Sequence, residues 1–441
     1  MTLPQRPAPA SPASAPPLPP TPPLDTQLGP TPATALPAST GSPPGTEFII
    51  GVALLTALVA LAIDTMLPAM GRIAADLGAG GGNRQQWILI TVFLGLAAGQ
   101  LVFGPLSDQT GRKPAILLGL GLYALGSAVC GLATDFSMLL AGRVLQGFGA
   151  AGPRVVAMAM VRDGQSGSAM ARVMSLITMV FIAVPIVAPS LGQLLLLATG
   201  WRGIFGLLFA AALVAAAWLL WRQPETLPPA ARVPMRPVAL AEATARVLGH
   251  PVSLRYALMM ALMFGAMVAY LGTSQQVIGV QYGAGPRFGL YFAVLAVGVG
   301  LAAGLNARWV HRLGVRRLTR RALAGFNAVA WVMLLACAAS GGQPPLAVFL
   351  ALMAALLFCL GFLFGNAQAL AMAPLGQQAG LAASVIGTVS TLGSIIVGGV
   401  IGHLYDGTLW PLAGGFVVVG ALGGGLMRAA TRHEAATAGP H

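Results

Sequence analysis

Long apolar runs separated by short polar gaps fill the chain from residue 48 onward. They fall at 48–70, 86–106, 114–134, 138–161, 171–198 and 203–221, then at 256–279, 288–309, 320–339, 345–370, 382–403 and 410–427. Each holds about 20 residues or more, enough for a helix rising 1.5 Å per residue to cross a hydrocarbon core of about 30 Å. The pattern predicts an all-α integral membrane protein with twelve transmembrane helices. The longest internal polar gap, 222–254, divides them six and six. This predicts an N-terminal six-helix bundle over 47–221, a cytoplasmic linker over 222–254, a C-terminal six-helix bundle over 255–428 and a short tail over 429–441. Paired bundles of this kind commonly hold a substrate site between them.

Composition sharpens the class. Of 441 residues, 56% are hydrophobic and only 8% are charged, against about 25% in an ordinary soluble protein. A soluble domain could not hide that apolar surface with so little charge to face water. Soluble enzymes, nucleic-acid-binding domains and secreted disulfide scaffolds are thereby excluded. Cys130, Cys337 and Cys359 all lie within apolar runs and read as small buried side chains. The net charge of +13 sits mostly in the short gaps. With both termini inside, eighteen Lys and Arg residues face the cytoplasm and four (Arg72, Arg84, Arg202, Arg287) face outward. That asymmetry supports twelve spans with cytoplasmic N and C termini. The single lysine, Lys113, among arginines suggests a GC-rich bacterial genome, and hence a multi-pass protein of the bacterial inner membrane.

Residues 1–46 include fifteen prolines. Such a stretch cannot build a core and is expected to be disordered with polyproline character. It has no cationic start followed by an apolar run, so it is not a secretory signal. It reads as an inert cytoplasmic tail or as a ligand for an SH3-type domain.

Four stretches carry candidate chemistry. Between the second and third runs lies GPLSDQTGRKP, residues 104–114. Gly104 and Gly111 permit a tight turn, Asp108 can neutralise a helix start, and Arg112 and Lys113 can anchor at the anionic leaflet. The fourth run holds Arg143, Gln146, Gly147 and Arg154. A guanidinium within a span is expensive unless it faces a cavity or a partner. Arg154 follows Arg143 by eleven residues, about 20° around the axis, so the two predict a basic stripe with Gly147 between them. Arg154 can instead snorkel to the inner boundary. The acid lying well inside a span is Asp64. With the first span ending near Met70, Asp64 falls about 9 Å from the outer boundary, at a depth similar to Arg143. An acid and a base at matched depth can pair, and burial and a nearby cation act on the carboxyl in opposite directions. The fifth run contains Pro185, Pro189 and Gly192, with two prolines four apart to kink the helix.

These stretches resemble the conserved motifs A, B and C of the major facilitator superfamily. The match departs at Gln109, where motif A usually has a basic residue, and at Ala188 and Gln193 in motif C. Motif A has a looser counterpart at 304–317, where Gly314 stands for Gly111 and His311 for Asp108. This copy lacks the acidic partner and reads as a basic anchor. PETL at 224–227, QYG at 281–283, AMAP at 371–374 and the Asp64 segment together resemble the Bcr/CflA drug-resistance group of proton antiporters.

The resemblance implies a monomeric exporter of small amphipathic drugs that needs no cofactor and is driven by the proton gradient. Its partners would be a small molecule, protons and the bilayer, with no nucleic acid and no metal. Asp64 would carry the proton and Arg143 would tune it. Gln275, Gln276, Asn366 and Gln368 are polar candidates for substrate contact, or for bridging helices. Met259, Met260, Met263 and Met267 offer a soft surface or ordinary packing. Other readings stay open: a carrier for one sugar, nucleoside or amino-acid derivative, a sensor without transport, or a membrane enzyme. An enzyme would need more than His403 and Asp406, which have no third partner in the sequence.

Overall fold

A computed structural model describes residues 45–165, 167–234 and 237–437. The expected proline-rich tail lies outside the described residues up to residue 44. The described residues are helical, with no strand among them. The helices are α1 (Thr46–Asp64), α2 (Met70–Asp76), α3 (Trp87–Thr110), α4 (Arg112–Gly131), α5 (Phe136–Gly164), α6 (Gly167–Thr199), α7 (Trp201–Arg222) and α8 (Pro237–Gly249), followed by α9 (Pro251–Ser274), α10 (Phe288–Leu313), α11 (Val315–Ala339), α12 (Leu346–Met372), α13 (Ala379–His403) and α14 (Trp410–Thr437). Eleven helical stretches among the described residues are long and apolar enough to cross a membrane, and the described part of α6 adds an apolar stretch over Ala183–Thr199.

Packing within residues 46–222 recurs within 251–437. α3 packs on α5, α4 on α7 and α1 on α6; correspondingly α10 packs on α12, α11 on α14 and α9 on α13. The most extensive helix pairings between these sets are α3 with α13 and α6 with α10. Glycines let backbones approach where side chains would collide. A Cβ added at Gly147 would overlap the Val92 carbonyl of α3, and one at Gly95 would overlap the Val144 carbonyl of α5. Phe103, Tyr123, Phe205 and Phe288 fill the buried core between helices.

Single glycines reverse the chain between α3 and α4 and between α10 and α11. Gly111 has φ 106° and Gly314 has φ 75°, a region that favours glycine. The shared conformation supports the alignment of the two loops.

Three expectations change. The polar gap 222–254 is not wholly loose: Pro237 opens α8, a form favoured because proline suits the first helical turn. The segment beyond 428 continues as helix to Thr437, because α14 does not stop at the end of its apolar run. The first span likewise does not stop near Met70. After a break at Thr65–Met66 the chain resumes as a 3₁₀ turn and α2, so the helical stretch reaches Asp76. Asp64 therefore lies twelve residues from the end of the helical stretch, not about six.

Candidate functional site

The break after α1 builds the site. Pro68 has no N–H to give the Asp64 carbonyl, so the α-helical ladder cannot continue past it. The Thr65 N–H bonds to Leu61 O and the Met66 N–H to Ile63 O, which leaves the Ala62 carbonyl without its usual backbone donor. Arg143 of α5 fills that place. Its Nη1 and Nη2 each donate to Ala62 O at 3.1 Å, and its Nε donates to Ile88 O of α3 at 3.1 Å. A cation at a helix C-terminus also meets the negative end of the helix dipole.

The bonding continues outward. Arg143 Nη1 donates to Gln146 Oε1, Gln146 Nε2 donates to Ser127 Oγ at 2.7 Å, and Ser127 Oγ donates to Tyr123 O. The Tyr123 hydroxyl closes the circuit on Leu58 O at 3.1 Å. Four helices, α1, α3, α4 and α5, are thus tied to one guanidinium that is fully buried.

Asp64 stands beside this knot but not in it. It is 5% exposed. Among the described residues no side chain donates to its carboxyl and no cation pairs with it. The expected Asp64–Arg143 pair does not form, because the frayed end of α1 takes the whole guanidinium. A carboxylate out of water with no partner carries a large desolvation cost, which a bound proton or a cationic group removes. Tyr270 of α9 lies within electrostatic reach of Asp64, and its buried hydroxyl has no hydrogen-bond partner. Tyr270 itself is held by stacking on Phe292, with centroids 5.7 Å apart.

The other sequence-selected residues fall as follows. Arg154 is half-buried and makes no hydrogen bond or ion pair among the described residues. Of the motif C residues, Pro185 and Pro189 lie inside α6, and Gly192 packs against the α1 break, where a Cβ would overlap the Thr65 carbonyl. The small residue lets α6 approach the residue next to Asp64. Asn366 is buried and shares a reciprocal amide pair with Asn306 of α10 (2.7 and 3.3 Å), which is helix bridging. Gln368 is exposed. Gln275 and Gln276 begin a π-helical turn, Gln275–Gln281, that ends the α9 span. The four polar candidates are therefore not brought together. Met259 and Met263 are core residues.

The loop at 104–114 is an anchor. Arg112 donates through Nε to Asp163 at 2.8 Å and through Nη1 to Asp108 at 2.5 Å and Ser107 at 2.8 Å. Lys113 Nζ donates to the Leu220 and Gln223 carbonyls at the end of α7, both at 2.9 Å. Glu225 caps the start of α4: its Oε1 accepts from the Arg112 N–H at 2.9 Å and its Oε2 from the Lys113 N–H at 3.0 Å. Partial burial opposes ionisation of Glu225, but backbone donors from Leu227, Arg112, Lys113 and Thr226 outweigh it and hold the carboxyl below its ordinary range.

The corresponding loop at α11 is not only a basic anchor. Arg316 pairs with Glu434 of α14 at 2.7 Å. The acid missing from the loop is supplied by the far end of the chain, just as Glu225 is supplied from beyond α7.

Sequence reading missed Glu225, Glu434 and Tyr270 as partners of these sites, and it named Gln146 without its bond to Arg143. Glu225 had a signal, an acid directly after an apolar run. Tyr270 had none, since a tyrosine in an apolar run reads as core.

No group of three or more His, Cys, Asp or Glu able to hold a metal occurs among the described residues. The family model described as Major Facilitator Superfamily matches residues 52–398. The chain is 32% identical over 383 residues to a bicyclomycin resistance protein homolog of Haemophilus influenzae, covering 85% of this chain and 94% of that one. It is 30% identical to the multidrug resistance protein MdtL of Citrobacter koseri, over 79% of this chain and 87% of the relative. Among solved structures it resembles the human organic anion transporter MFSD10, with a TM-score of 0.63 at 21% identity, covering 88% of this chain and 100% of that one. A D-xylose-proton symporter gives a TM-score of 0.68 at 14% identity, over 85% of this chain and 97% of that one. At those identities the structures speak to the fold alone.

Proposed function

Because the chain belongs to the Major Facilitator Superfamily, a family of multi-pass membrane transporters rather than enzymes, we propose that it is a proton-coupled exporter of small amphipathic drugs. It would work by alternating access in the bacterial inner membrane. Relatives named for bicyclomycin and multidrug resistance support the substrate class. The observation that carries the coupling is Asp64: a buried, unpaired carboxyl at a helix break, facing an unpaired phenol from α9.

In this reading twelve spans form two six-helix bundles, 47–221 and 255–428, with both termini cytoplasmic; the recurrence of helix pairs in the two sets supports it. The bundles rock on the α3–α13 and α6–α10 contacts. A proton and a drug compete to neutralise Asp64. Loading with a proton from outside and exchange for drug inside gives inward proton flux and outward drug flux. Arg143 acts by fixing the backbone on which Asp64 sits. Gly104, Asp108, Gly111, Arg112 and Lys113 hold the loop that must yield as the bundles rock. Gly147 and Gly192 provide the close packing around α5 and α6.

The test is proton release from everted vesicles on addition of chloramphenicol, a sulfonamide or a cationic dye, comparing the parent with Asp64→Asn. The parent should release protons with at least one drug, and the variant should not. Equal release from both would remove Asp64 from the mechanism; bound drug without any proton movement would remove antiport.

A further inference from the structure

We propose that a polar vestibule beside the π-helical turn of α9 is a binding site for an uncharged small molecule rich in carbonyl and hydroxyl groups. The inference goes beyond proton-coupled export and does not depend on Asp64.

The cavity measures about 570 Å³, within the range of about 300–1,000 Å³ found for small-molecule sites. Five glutamines line it: Gln85, Gln275, Gln276, Gln281 and Gln343. The π-helical turn accounts for three of them, since its widened backbone carries Gln275, Gln276 and Gln281 on one short segment.

The amides divide into committed and free groups. Gln276 is committed: its Nε2 donates to Asn83 Oδ1 at 2.8 Å, and its Oε1 accepts from Gln86 at 3.2 Å. Asn83 in turn donates to the His403 and Tyr405 carbonyls, both at 2.8 Å. This wall is fixed before any ligand arrives. Tyr405 gives its hydroxyl proton to Gln281 Oε1 at 3.0 Å, which orients that amide and leaves its Nε2 unpaired. Gln85 Nε2 is likewise buried without a partner. Buried amide donors are normally satisfied, so two unpaired ones on one cavity call for acceptors on a guest.

Gly71 makes room for the meeting point. A Cβ there would stand 3.2 Å from Gln275 Oε1 and 3.3 Å from Gln85 Oε1, so the two amides converge over bare backbone. Gln275 also lines a second cavity of about 120 Å³ with Pro68 and Gln193, so one residue is common to both cavities.

The absence of charge among the lining residues sets the ligand class. Of the charges next to the lining residues in sequence, Arg72 pairs with Asp76 at 3.0 Å, and the Asp406 carboxylate, which does not line the cavity, accepts from the Thr408 hydroxyl at 2.6 Å. An ion entering here would lose hydration against a lining that carries no charge, whereas a neutral amide or polyol trades water for amides on equal terms.

Val280 provides a reporter. It lines the cavity, is 69% exposed and offers no hydrogen bond. Full-length Val280→Cys protein in nanodiscs would be alkylated with a maleimide, with the parent protein giving the background from its native cysteines. Chloramphenicol and uridine are the neutral probes, and tetraphenylphosphonium is the charged control. At least one neutral probe should slow alkylation fivefold or more, and the cation should not. Adding Gln85→Ala and Gln281→Ala should raise the half-protecting concentration at least tenfold. Gln281→Glu keeps the acceptor for Tyr405 but has no N–H to give, so it should also lose protection; it serves if the double variant fails to fold. Adding Asp64→Asn should leave protection intact even if proton coupling is lost. No protection by either neutral probe would mean the vestibule holds solvent only. Equal protection in the glutamine variants, or its loss in Asp64→Asn, would place the effect elsewhere. Each of these results overturns the proposal.

Discussion

Replacing Glu225 with alanine should free the start of α4. Its carboxylate accepts two backbone donors from that helix, Arg112 N at 2.9 Å and Lys113 N at 3.0 Å. A hydrogen bond to a charged group contributes about 1.5–3 kcal/mol, and an anion at a helix N-terminus adds about 0.3–1 kcal/mol. Glu225 is only half-buried, so water replaces part of what is lost. A net cost of about 2 kcal/mol follows, roughly a 30-fold change in local opening at 1.4 kcal/mol per decade. Hydrogen exchange read on a peptide covering residues 108–118 reports it directly, because that peptide starts far enough upstream to keep label at the Arg112 and Lys113 amides. Amide exchange there should speed up about 30-fold, while the buried span of α5 stays protected. The pH dependence has a definite sign. Glu225 is held below its ordinary value of 4.5 in the folded protein, so its contribution is fully present above that value. It is lost as pH falls through the lower, folded value. Exchange corrected for intrinsic rates should be flat from pH 8 to 5 and rise only below. If Glu225→Ala exchanges within threefold of the parent, the cap is not what holds α4.

Two further variants probe the α1 break. Arg143→Lys keeps the charge but cannot donate to Ile88 O, Ala62 O and Gln146 together; thermal unfolding of the purified protein should show a loss of about 3 kcal/mol or more, as for a broken buried charge network, and a loss under about 0.5 kcal/mol would refute the knot. Gly192→Val should cost about 1–3 kcal/mol by overpacking against the Thr65 carbonyl and should cut drug export further than stability alone explains; export equal to the parent in vesicles of matched protein content would separate α6 packing from function.

The fold was largely legible because hydrophobic length is a strong signal and the charge asymmetry an independent check on it. What the pattern could not locate was where a span ends once a proline interrupts it. Pro68 lies at the break, yet the apolar residues run on, so the break and the true end at Asp76 are separate events that a single hydropathy run merges. The same merging put Asp64 only about six residues from the end of its span and made a pair with Arg143 look natural. Depth matching is a one-dimensional test, and a guanidinium chooses among all acceptors within reach. Here the orphan carbonyl of Ala62 outcompetes the carboxyl two residues on, because the break that exposes Asp64 also exposes that carbonyl.

This sharing of one cause has a functional consequence. A proton-carrying acid needs to be buried without being neutralised by a fixed cation, since a permanent ion pair would hold it in one state. A helix break supplies both conditions at once. It creates an unsatisfied carbonyl that occupies the nearby arginine, and it leaves the carboxyl without a cation partner among the described residues, within electrostatic reach of the Tyr270 phenol of α9. The second set of helices repeats the packing without repeating this chemistry: α9 passes into a π-helical turn that carries Gln275, Gln276 and Gln281, where α1 passes into a 3₁₀ turn. In the proposed reading charge handling falls to Asp64 of the first set, and neutral recognition to a vestibule lined from both sets, Gln85 from the first and Gln275, Gln276 and Gln281 from the second. On that division Asp64→Asn and the Gln85 and Gln281 variants should fail in different assays, the first in proton release and the others in solute protection, and a variant that failed in both would show that the two sites are one.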